Sequence, residues 1–298
     1  MAFEHNGKVV AEAGKLSVLD CSACGFKHLR RIPSQGEMSR FYGSQFFTQA
    51  KPSYAKEEAQ DRKWLDAWSH IKIKMINRTR FTRGQRILDV GAGNGYFARF
   101  AESRGWVADC VEPSKEQANE LATKFTVYNC LIEEASLPEM YYDAVHCAFV
   151  LEHLREPLRA VEKMVRSLKP GGVLVAVVPN DFSEIQRAAN GVFSSRNYWV
   201  NNQHVNYFDF DSSRKLLERA GLFVVQCYGT FPIDWFLLMG KNYTVSQKLG
   251  RRIHADRKRF ELNLWNSGEE SRNTLLNLLK TFGENKIGRE IVLAGRKS

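Results

Sequence analysis

An acidic residue, three alternating glycines and a second acidic residue about twenty positions later form the pattern with the clearest chemical meaning in this chain. Asp89 ends an apolar run and leads into Gly91-Ala92-Gly93-Asn94-Gly95-Tyr96, and a second apolar run ends at Glu112-Pro113. Glycines let the backbone turn tightly and approach a ligand closely. A carboxylate at the end of the second strand can accept hydrogen bonds from both ribose hydroxyls. The pattern therefore predicts a nucleotide-binding half of an α/β fold.

The spacing of the glycines argues against a dinucleotide. That fingerprint requires G-x-G-x-x-G, so that the amino terminus of a helix can bind a pyrophosphate. Here the third glycine comes one residue early, and Tyr96 takes the last position. The turn has no lysine, and Asp89 would repel a phosphate but attract a cationic ligand. An NAD-linked oxidoreductase is therefore disfavoured.

Four further segments follow in the order and spacing of one enzyme family: 130–134, 142–154, 168–172 and 202–225. With the glycine turn they resemble the class I S-adenosylmethionine (SAM)-dependent methyltransferases over roughly residues 80–230. The resemblance is closest to the small-molecule branch, which includes quinone-ring and deoxysugar methyltransferases. It implies an α/β fold with a Rossmann-like, seven-stranded, doubly wound sheet, extended by an N-terminal segment and helical insertions. It also implies SAM as the cofactor.

The resemblance divides the chain into four segments. Residues 1–50 are predicted to form an N-terminal cap. Residues 51–229 are predicted to form the SAM-binding core, with a substrate-loop insertion at 181–210. Residues 230–286 should form a helical insertion, and residues 287–298 the last strand of the core.

An apolar stripe at three- and four-residue spacing, which includes Trp68, predicts a helix over 56–78 that packs against the core. Lys63, Lys72 and Lys74 fall off this stripe, so they are expected on the solvated face of the helix.

The resemblance places the cofactor at the ends of successive strands. The segment from Asp89 to Tyr96 is expected to hold the methionine part, with Asp89 orienting the turn and the ammonium group, and Glu112-Pro113 should lie at the ribose. The remaining predicted cofactor residues are Ile132, Glu133, Cys147 and Phe149. The first two are expected beside the adenine, and because two glutamates are adjacent there, the choice of acceptor stays open. The last two should line the pocket floor, and the alternative for them is packing within a strand.

His204 is the candidate catalytic base. In sugar C-methyltransferases that this chain resembles, a similar place carries Tyr-x-Glu-His, with the histidine as base. Here Asn201 and Gln203 replace the tyrosine and the glutamate, so the histidine is kept without its acidic partner. This weakens the case for deprotonating carbon and leaves methylation of oxygen or nitrogen open. The residues predicted to bind the acceptor are Tyr198, Trp199, Gln203, Asn206 and Tyr207.

Cys21-x-x-Cys24-Gly25 is half of a zinc ribbon. The resembling C-methyltransferases supply zinc ligands from two such halves, and this chain has no second C-x-x-C. His5 or His28 could complete a site. We nevertheless expect a metal-free remnant that keeps the turn, and we assign no metal ligand.

Composition adds the partners and the compartment. Six scattered cysteines, the lack of a signal-peptide pattern and the lack of a long apolar run predict a cytoplasmic protein without a membrane span. The net charge is +10, and the basic residues concentrated near the C-terminus, as in 251–259, are interpreted as a solvated helical face. Docking of an anionic partner is the alternative reading. No aromatic–basic platform accompanies the charge, so nucleic acid is not the expected partner. The oligomeric state is left open.

The sequence therefore predicts a SAM-dependent methyltransferase acting on a small polar acceptor. A sugar, nucleotide-sugar or glycan precursor is the first candidate, and a quinone-like ring is the second. Two other classes remain as alternatives: an RNA methyltransferase, and a non-catalytic binding module that keeps the SAM fold.

Overall fold

The computed structural model describes residues 5–76, 84–192 and 197–298. The strands are β1 Gly7–Ala13, β2 Leu16–Cys21, β3 Phe26–Leu29, β4 Arg86–Val90, β5 Val107–Val111, β6 Thr126–Tyr128, β7 Tyr142–Ala148, β8 Leu168–Pro179, β9 Asn206–Tyr207, β10 Leu222–Gly229 and β11 Glu290–Lys297. The α-helices are α1 Gln35–Arg40, α2 Tyr54–Ile76, α3 Tyr96–Ser103, α4 Lys115–Leu121, α5 Pro157–Ser167, α6 Glu184–Val192, α7 Phe210–Arg219, α8 Trp235–Leu238, α9 Gln247–Asn266 and α10 Glu269–Glu284. A π-helical segment, Phe41–Ala50, follows α1 directly.

Seven strands form one sheet with the order β10-β11-β8-β7-β4-β5-β6. β4 pairs in parallel with β5 and with β7, and β5 pairs in parallel with β6. The chain therefore leaves β4 toward one edge through β5 and β6, and then crosses back to β7 on the other side. This reversal beside β4 is the point where open α/β sheets bind ligands, at the carboxyl ends of the strands. The predicted seven-stranded, doubly wound sheet is confirmed.

Burial explains why these segments form strands and helices. From Ile87 to Val90 every residue of β4 is buried, as expected for a central parallel strand covered on both faces. α5 begins with Pro157 at its first position, where the missing N–H costs nothing. Ala160, Val161 and Met164 then place a fully buried stripe along one side of that helix.

A second sheet has four strands in the order β1-β2-β3-β9. The first three form an antiparallel meander, and β3 pairs antiparallel with the short strand β9. A cluster of buried apolar residues that includes Val18, Leu29 and Trp199 supports this sheet. The N-terminal strands are therefore joined to the end of the predicted substrate loop.

Cα packing separates the chain into two compact units, and their boundaries differ from the predicted segments. One unit contains residues 1–32, 177–216 and 227–292, and the other contains residues 33–176, 217–226 and 293–298. The aromatic-rich stretch after residue 32 thus packs with the residues of β4 to β7, although it was predicted to belong to the cap. α8, α9 and α10 all fall within the predicted helical insertion, and α6 forms inside the predicted substrate loop.

The helix predicted over 56–78 is observed as α2, Tyr54–Ile76, and its last two predicted residues lie outside the described residues. Lys63 and Lys74 are exposed as predicted. The prediction for Lys72 is wrong, because this residue is half-buried and its ammonium contacts a side chain of the central sheet. In the described ranges, no helix is both long and apolar enough to cross a membrane.

Candidate functional site

The glycine turn between β4 and α3 lies at the carboxyl end of the central strand. The N–H groups of Gly91 and Ala92 both donate to the Val111 carbonyl oxygen of β5, at 2.8 and 3.2 Å. Gly93 has φ +53°, and a Cβ atom there would lie 3.2 Å from the Tyr54 hydroxyl. Its backbone angle therefore favours glycine at this position, and the Tyr54 hydroxyl would crowd any added side chain.

Glu112 connects the glycine turn to the end of β5. Its two carboxylate oxygens accept the N–H groups of Gly93 at 2.7 Å and of Ser114 at 2.8 Å. The residue is only 3% exposed. Burial raises the pKa of Glu112 to about 7, although both backbone N–H groups oppose that shift. Each oxygen keeps a further lone pair, so the carboxylate can still accept a pair of vicinal hydroxyls.

The two adjacent glutamates after β6 have different environments. Glu134 is exposed, and its Oε1 accepts the Gln35 amide at 2.8 Å. The Oε2 atom of Glu133 is buried, with no hydrogen-bond partner among the described residues. Burial also raises the pKa of Glu133. A buried acceptor without a partner is costly unless a ligand donor satisfies it, so Glu133 fits an amine-bearing ring better than Glu134 does. Ile132 beside it is buried and offers an apolar contact.

Asp89 is the end of a buried chain of three charged or polar groups. Its Oδ1 lies 2.7 Å from His146 Nδ1, its partner in the register of β4 and β7. Lys72 Nζ lies 3.0 Å from His146 Nε2, and the imidazole stacks on Phe97 with ring centroids 3.7 Å apart. Burial and the nearby Lys72 ammonium lower the pKa of His146 to about 4. The neutral ring therefore donates from Nδ1 to Asp89 and accepts from Lys72 at Nε2.

Three of the predicted cofactor residues use their side chains or carbonyl groups elsewhere in the fold. The Tyr96 hydroxyl donates to Asp66 of α2 at 2.5 Å. The side chain of Asn94 hydrogen-bonds Glu58, also of α2. The carbonyl oxygen of Pro113 accepts the Asn129 amide at 3.2 Å. Through their side chains, Tyr96 and Asn94 hold α2 against the glycine turn, and any role at the cofactor is left to their backbone atoms.

Cys147 and Phe149, at the carboxyl end of β7, have opposite environments. Cys147 is fully buried within the strand, as its packing alternative predicts. Phe149 is 46% exposed and has φ +56°, a left-handed conformation that is unfavourable for a residue with a bulky side chain. Such strain is concentrated at functional sites. Phe149 is therefore the better candidate of the two for contact with a ligand.

His204 lies in a turn organised by Asn201. The Asn201 side-chain oxygen accepts the backbone N–H groups of Gln203 at 2.8 Å and of His204 at 3.0 Å. His204 Nδ1 lies 4.0 Å from Asp181 Oδ2, which is longer than a hydrogen bond. The Oδ1 atom of Asp181 is paired with Arg289 at 3.0 Å. An acid that the local motif lacks is therefore present beside the histidine, supplied by residue 181.

The other residues predicted to bind the acceptor are mostly integrated into packing. Trp199 and Tyr207 belong to the buried apolar cluster, and Asn206 is buried in β9. The Tyr198 hydroxyl donates to Asp234 at 2.6 Å. Gln203 is half-buried. Burial favours a structural role for Trp199, Asn206 and Tyr207, and acceptor binding by this set stays a prediction.

A family model described as a methyltransferase domain matches residues 58–227, more than half of the chain. The chain belongs to this methyltransferase family. The match begins within α2 and ends within β10, so it includes the glycine turn, Glu112 and the end of β7.

Two curated relatives of this chain are named as methyltransferases of ubiquinone or menaquinone biosynthesis. A ubiquinone biosynthesis O-methyltransferase of Alkalilimnicola ehrlichii is 32% identical over 139 residues, which cover 41% of this chain and 56% of the relative. A ubiquinone/menaquinone biosynthesis C-methyltransferase of Bordetella parapertussis is 30% identical over 126 residues, 39% of this chain and 48% of the relative. The chain thus spans about half the length of these relatives.

Solved structures agree on the fold. A SAM-dependent methyltransferase from Archaeoglobus fulgidus superposes with a TM-score of 0.53 at 18% identity, covering 82% of this chain and 99% of that one. A possible histamine N-methyltransferase from Thermotoga maritima has a TM-score of 0.50 at 16% identity, and the match covers 89% of this chain and 100% of that one. The predicted family, the Rossmann-like fold and SAM as the cofactor are confirmed at this level.

The residues at the carboxyl ends of β4 to β7 fit SAM. Glu112 offers a buried carboxylate for the ribose diol, and Glu133 offers an acceptor without a partner for the adenine amine. Residues 90–96 contain no lysine or arginine, and the Arg99 guanidinium of α3 is occupied by the Asn94 carbonyl oxygen at 2.8 Å, so the carboxylate of Asp89 suits a ligand with an ammonium and a sulfonium group. These assignments of individual residues remain predictions.

The sequence analysis assigned no role to an aromatic segment of this chain. Tyr42, Phe46 and Phe47 follow one another around the π-helical segment, and the Tyr42 ring lies 5.5 Å from that of His153. Phe47 in turn packs on Tyr54, the residue that faces Gly93. The signal in the sequence is the density of aromatic residues between positions 41 and 54.

Proposed function

We propose that this chain is a SAM-dependent methyltransferase that methylates a hydroxyl group of a small polar acceptor. The observation that carries the proposal is the buried Glu112 carboxylate, which is fastened to the glycine turn by the Gly93 N–H. A phosphate would be repelled by this carboxylate, whereas a ribose diol donates to it. Family membership and the fold support the same cofactor.

When bound, SAM supplies a methyl group activated by a sulfonium, so the protein mainly has to align donor and acceptor and remove a proton. In this proposal Glu112 accepts the ribose hydroxyls and Glu133 accepts the adenine amine. Asp89, held by His146, keeps the negative charge beside the glycine turn that favours the ammonium group. The strained Phe149 contributes an exposed aromatic ring at the end of β7.

His204 is the proposed general base, and Asp181 is its positioning partner. The Asp181 Oδ2 atom is buried, has no hydrogen-bond partner among the described residues and lies 4.0 Å from His204 Nδ1. Burial raises the pKa of Asp181, and the Arg289 guanidinium at 3.0 Å opposes this, so Arg289 favours the carboxylate form. A movement of about 1 Å would let the Nδ1–H of His204 donate to Asp181 and leave the Nε2 of His204 to take the hydroxyl proton. Hydrogen bonds between catalytic groups are often long in structures without ligands.

The chemical class of the acceptor is a further part of this proposal. A sugar, nucleotide-sugar or glycan precursor remains our first candidate, from the resemblance to sugar methyltransferases. The names of the curated relatives favour a phenolic quinone precursor as the second candidate. Both acceptors present a hydroxyl, so the same histidine can serve either. Action in the cytoplasm is likewise a proposal.

The basic segment in α9 does not favour RNA as the acceptor. Arg257 is buried and lies 3.7 Å from Glu290, and the exposed Arg259 pairs with Asp256 at 2.6 Å. Two of the positive charges are therefore balanced within the fold. An RNA methyltransferase would show binding that weakens steeply with salt, with the loss depending on the remaining charges of α9.

Calorimetric titration with S-adenosylhomocysteine tests the cofactor site first. We expect micromolar binding, on the order of −8 kcal/mol, and a marked loss in Glu112→Ala. Absence of binding would reject the methyltransferase proposal and leave a binding module. A panel of hydroxylated sugars, nucleotide sugars and catechols, with radiolabelled SAM, then tests the acceptor. Loss of turnover in His204→Asn with unchanged cofactor affinity would support the base. Turnover equal to that of the unchanged chain would refute it.

A further inference from the structure

Four potential metal ligands converge at one end of the four-stranded sheet, apart from the residues used above. Cys21 ends β2, Cys24 lies in the following turn, His28 lies in β3, and His5 precedes β1. One ligand atom from each of the four residues lies within 4.8 Å of every other. Residues separated by up to 23 positions in the chain are therefore gathered into a single cluster.

The distances within the cluster match those of a tetrahedral site. His5 Nδ1 lies 3.4 Å from Cys24 Sγ and 3.8 Å from Cys21 Sγ. Zinc bound at about 2.3 Å to sulfur and about 2.0 Å to nitrogen, with tetrahedral angles, places those atoms about 3.5 Å apart. The side chains thus surround a space of the size that one zinc ion occupies.

The backbone holds the ligands in these places. The Gly25 N–H donates to the Cys21 carbonyl oxygen at 2.9 Å, and Gly25 has φ +76°, so the turn between the two cysteines is closed by a glycine. The Asn6 carbonyl oxygen accepts the Ser22 N–H at 3.0 Å. This bond fastens the segment that carries His5 to the turn that carries the cysteines.

His28 provides an independent indication of a ligand. Its Nδ1 lies 2.8 Å from the Leu29 carbonyl oxygen, and since a carbonyl only accepts, Nδ1 carries the proton. Its Nε2 is buried and has no hydrogen-bond partner among the residues described, and the side chain is 1% exposed. Metal-binding histidines show this arrangement, in which one ring nitrogen donates to a carbonyl and the other keeps its lone pair for the metal.

We propose that His5, Cys21, Cys24 and His28 bind one Zn²⁺ ion as a structural Cys₂His₂ site. This replaces the expectation of a metal-free turn, because two histidines take the place of the missing second C-x-x-C. Four protein ligands leave no open position for a water or substrate, so the ion has no direct part in chemistry.

The site has a consequence for the predicted substrate loop. β3, which carries His28, pairs with β9 through Lys27 with Tyr207 and His28 with Asn206. The Leu29 N–H also donates to the Val205 carbonyl oxygen at 2.8 Å, one residue after the candidate base His204. A metal ion that stabilises β3 therefore also stabilises the strand that follows His204.

Metal analysis of the full chain, purified in a reducing buffer without chelator, is the test. We expect about one zinc ion per chain. In Cys24→Ser and in His28→Gln the affinity for zinc, measured by competition with a chromogenic chelator, should fall at least about 100-fold. Matched controls are Cys227→Ser, a half-buried cysteine outside the cluster, and His70→Gln. Both should retain the metal. Replacement by Co²⁺ should give thiolate-to-metal charge-transfer bands and the intense visible bands of four-coordinate cobalt.

A second measurement guards against variants that simply fail to fold. Chelation of the unmodified protein should increase hydrogen exchange at the Leu29 amide, and zinc added back should reverse the increase. Absence of zinc with no cobalt spectrum would overturn the proposal. So would zinc retained equally in the ligand variants and the controls, because the ion would then be bound elsewhere.

Discussion

Cofactor affinity should depend on pH through Glu112. Burial raises the pKa of this carboxyl to about 7, above its ordinary value of 4.5. Only the ionised form can accept both ribose hydroxyls while it keeps the N–H groups of Gly93 and Ser114. Affinity for S-adenosylhomocysteine is therefore expected to be highest above pH 7 and to fall as the pH decreases through that value.

The size of the effect follows from the pKa. If the ligand binds only the ionised form, the apparent Kd rises about 1.1-fold at pH 8, about 2-fold at pH 7 and about 11-fold at pH 6. Between pH 8 and pH 6 the loss is thus about tenfold, or about 1.4 kcal/mol. Binding at pH 7 should also release about half a proton from the protein. His146 does not interfere, because its pKa of about 4 lies below this window.

Calorimetry at three pH values, in buffers of different ionisation enthalpy, measures both the affinity and the released protons. Glu112→Gln is the control: its affinity should be lower by about 1.5–3 kcal/mol at pH 8, because one charged acceptor is lost. It should no longer vary with pH. A flat profile in the unmodified protein, or the same slope in the variant, would refute the assignment of Glu112 to the ribose.

Three further predictions concern single side chains. Lys72→Met should lower the free energy of unfolding by about 1–3 kcal/mol in urea titrations, because it leaves the buried His146 acceptor unpaired. The control Lys63→Met, at an exposed position, should leave the free energy of unfolding nearly unchanged. Equal values for the two variants would contradict the buried contact. Phe149→Gly should be about 1 kcal/mol more stable than Phe149→Ala by thermal unfolding, because only glycine adopts φ +56° without strain. The opposite order of stability would argue against strain in this turn. Asn201→Ala should reduce turnover about 10- to 100-fold with unchanged cofactor affinity, because the turn before the candidate base loses its acceptor; full activity would show that this turn is dispensable.

The parts of the fold that could be predicted from sequence are those in which local pattern and chemistry coincide. A strand buried on both faces has to be a continuous apolar run, and β4 reads that way. The turn that follows favours glycine where φ is positive, and Gly93 marks that place. Glu112 is recognisable because it ends the next strand, so its distance along the chain from the turn is set by one helix and one strand.

Lys72 shows where local pattern fails. The position lies off the apolar stripe of α2, and a lysine there is normally solvated. Its actual environment depends on His146, a polar residue inside a strand 74 positions later, whose burial is permitted by Asp89 in the adjacent strand. No spacing rule links these three residues, since their contact is created by the register of β4 with β7 and by the packing of α2.

The candidate base gives the same lesson for chemistry. Reading residues 201–204 as a local motif finds the acid missing, because Gln203 stands where a glutamate is expected. In our proposal Asp181 takes that place, 23 positions before His204. The Asp181 N–H donates to the Phe208 carbonyl oxygen at 2.7 Å and closes the loop between them. That backbone bond brings the start and the end of the predicted substrate loop together. An acidic partner defined by closure of a loop leaves no spacing signature, so the loss of a motif residue did not establish the loss of its function. Asp181→Asn tests whether the acidic function is kept or lost. If Asp181 and His204 act as a unit, the loss of turnover in Asp181→Asn should equal that in a variant without His204.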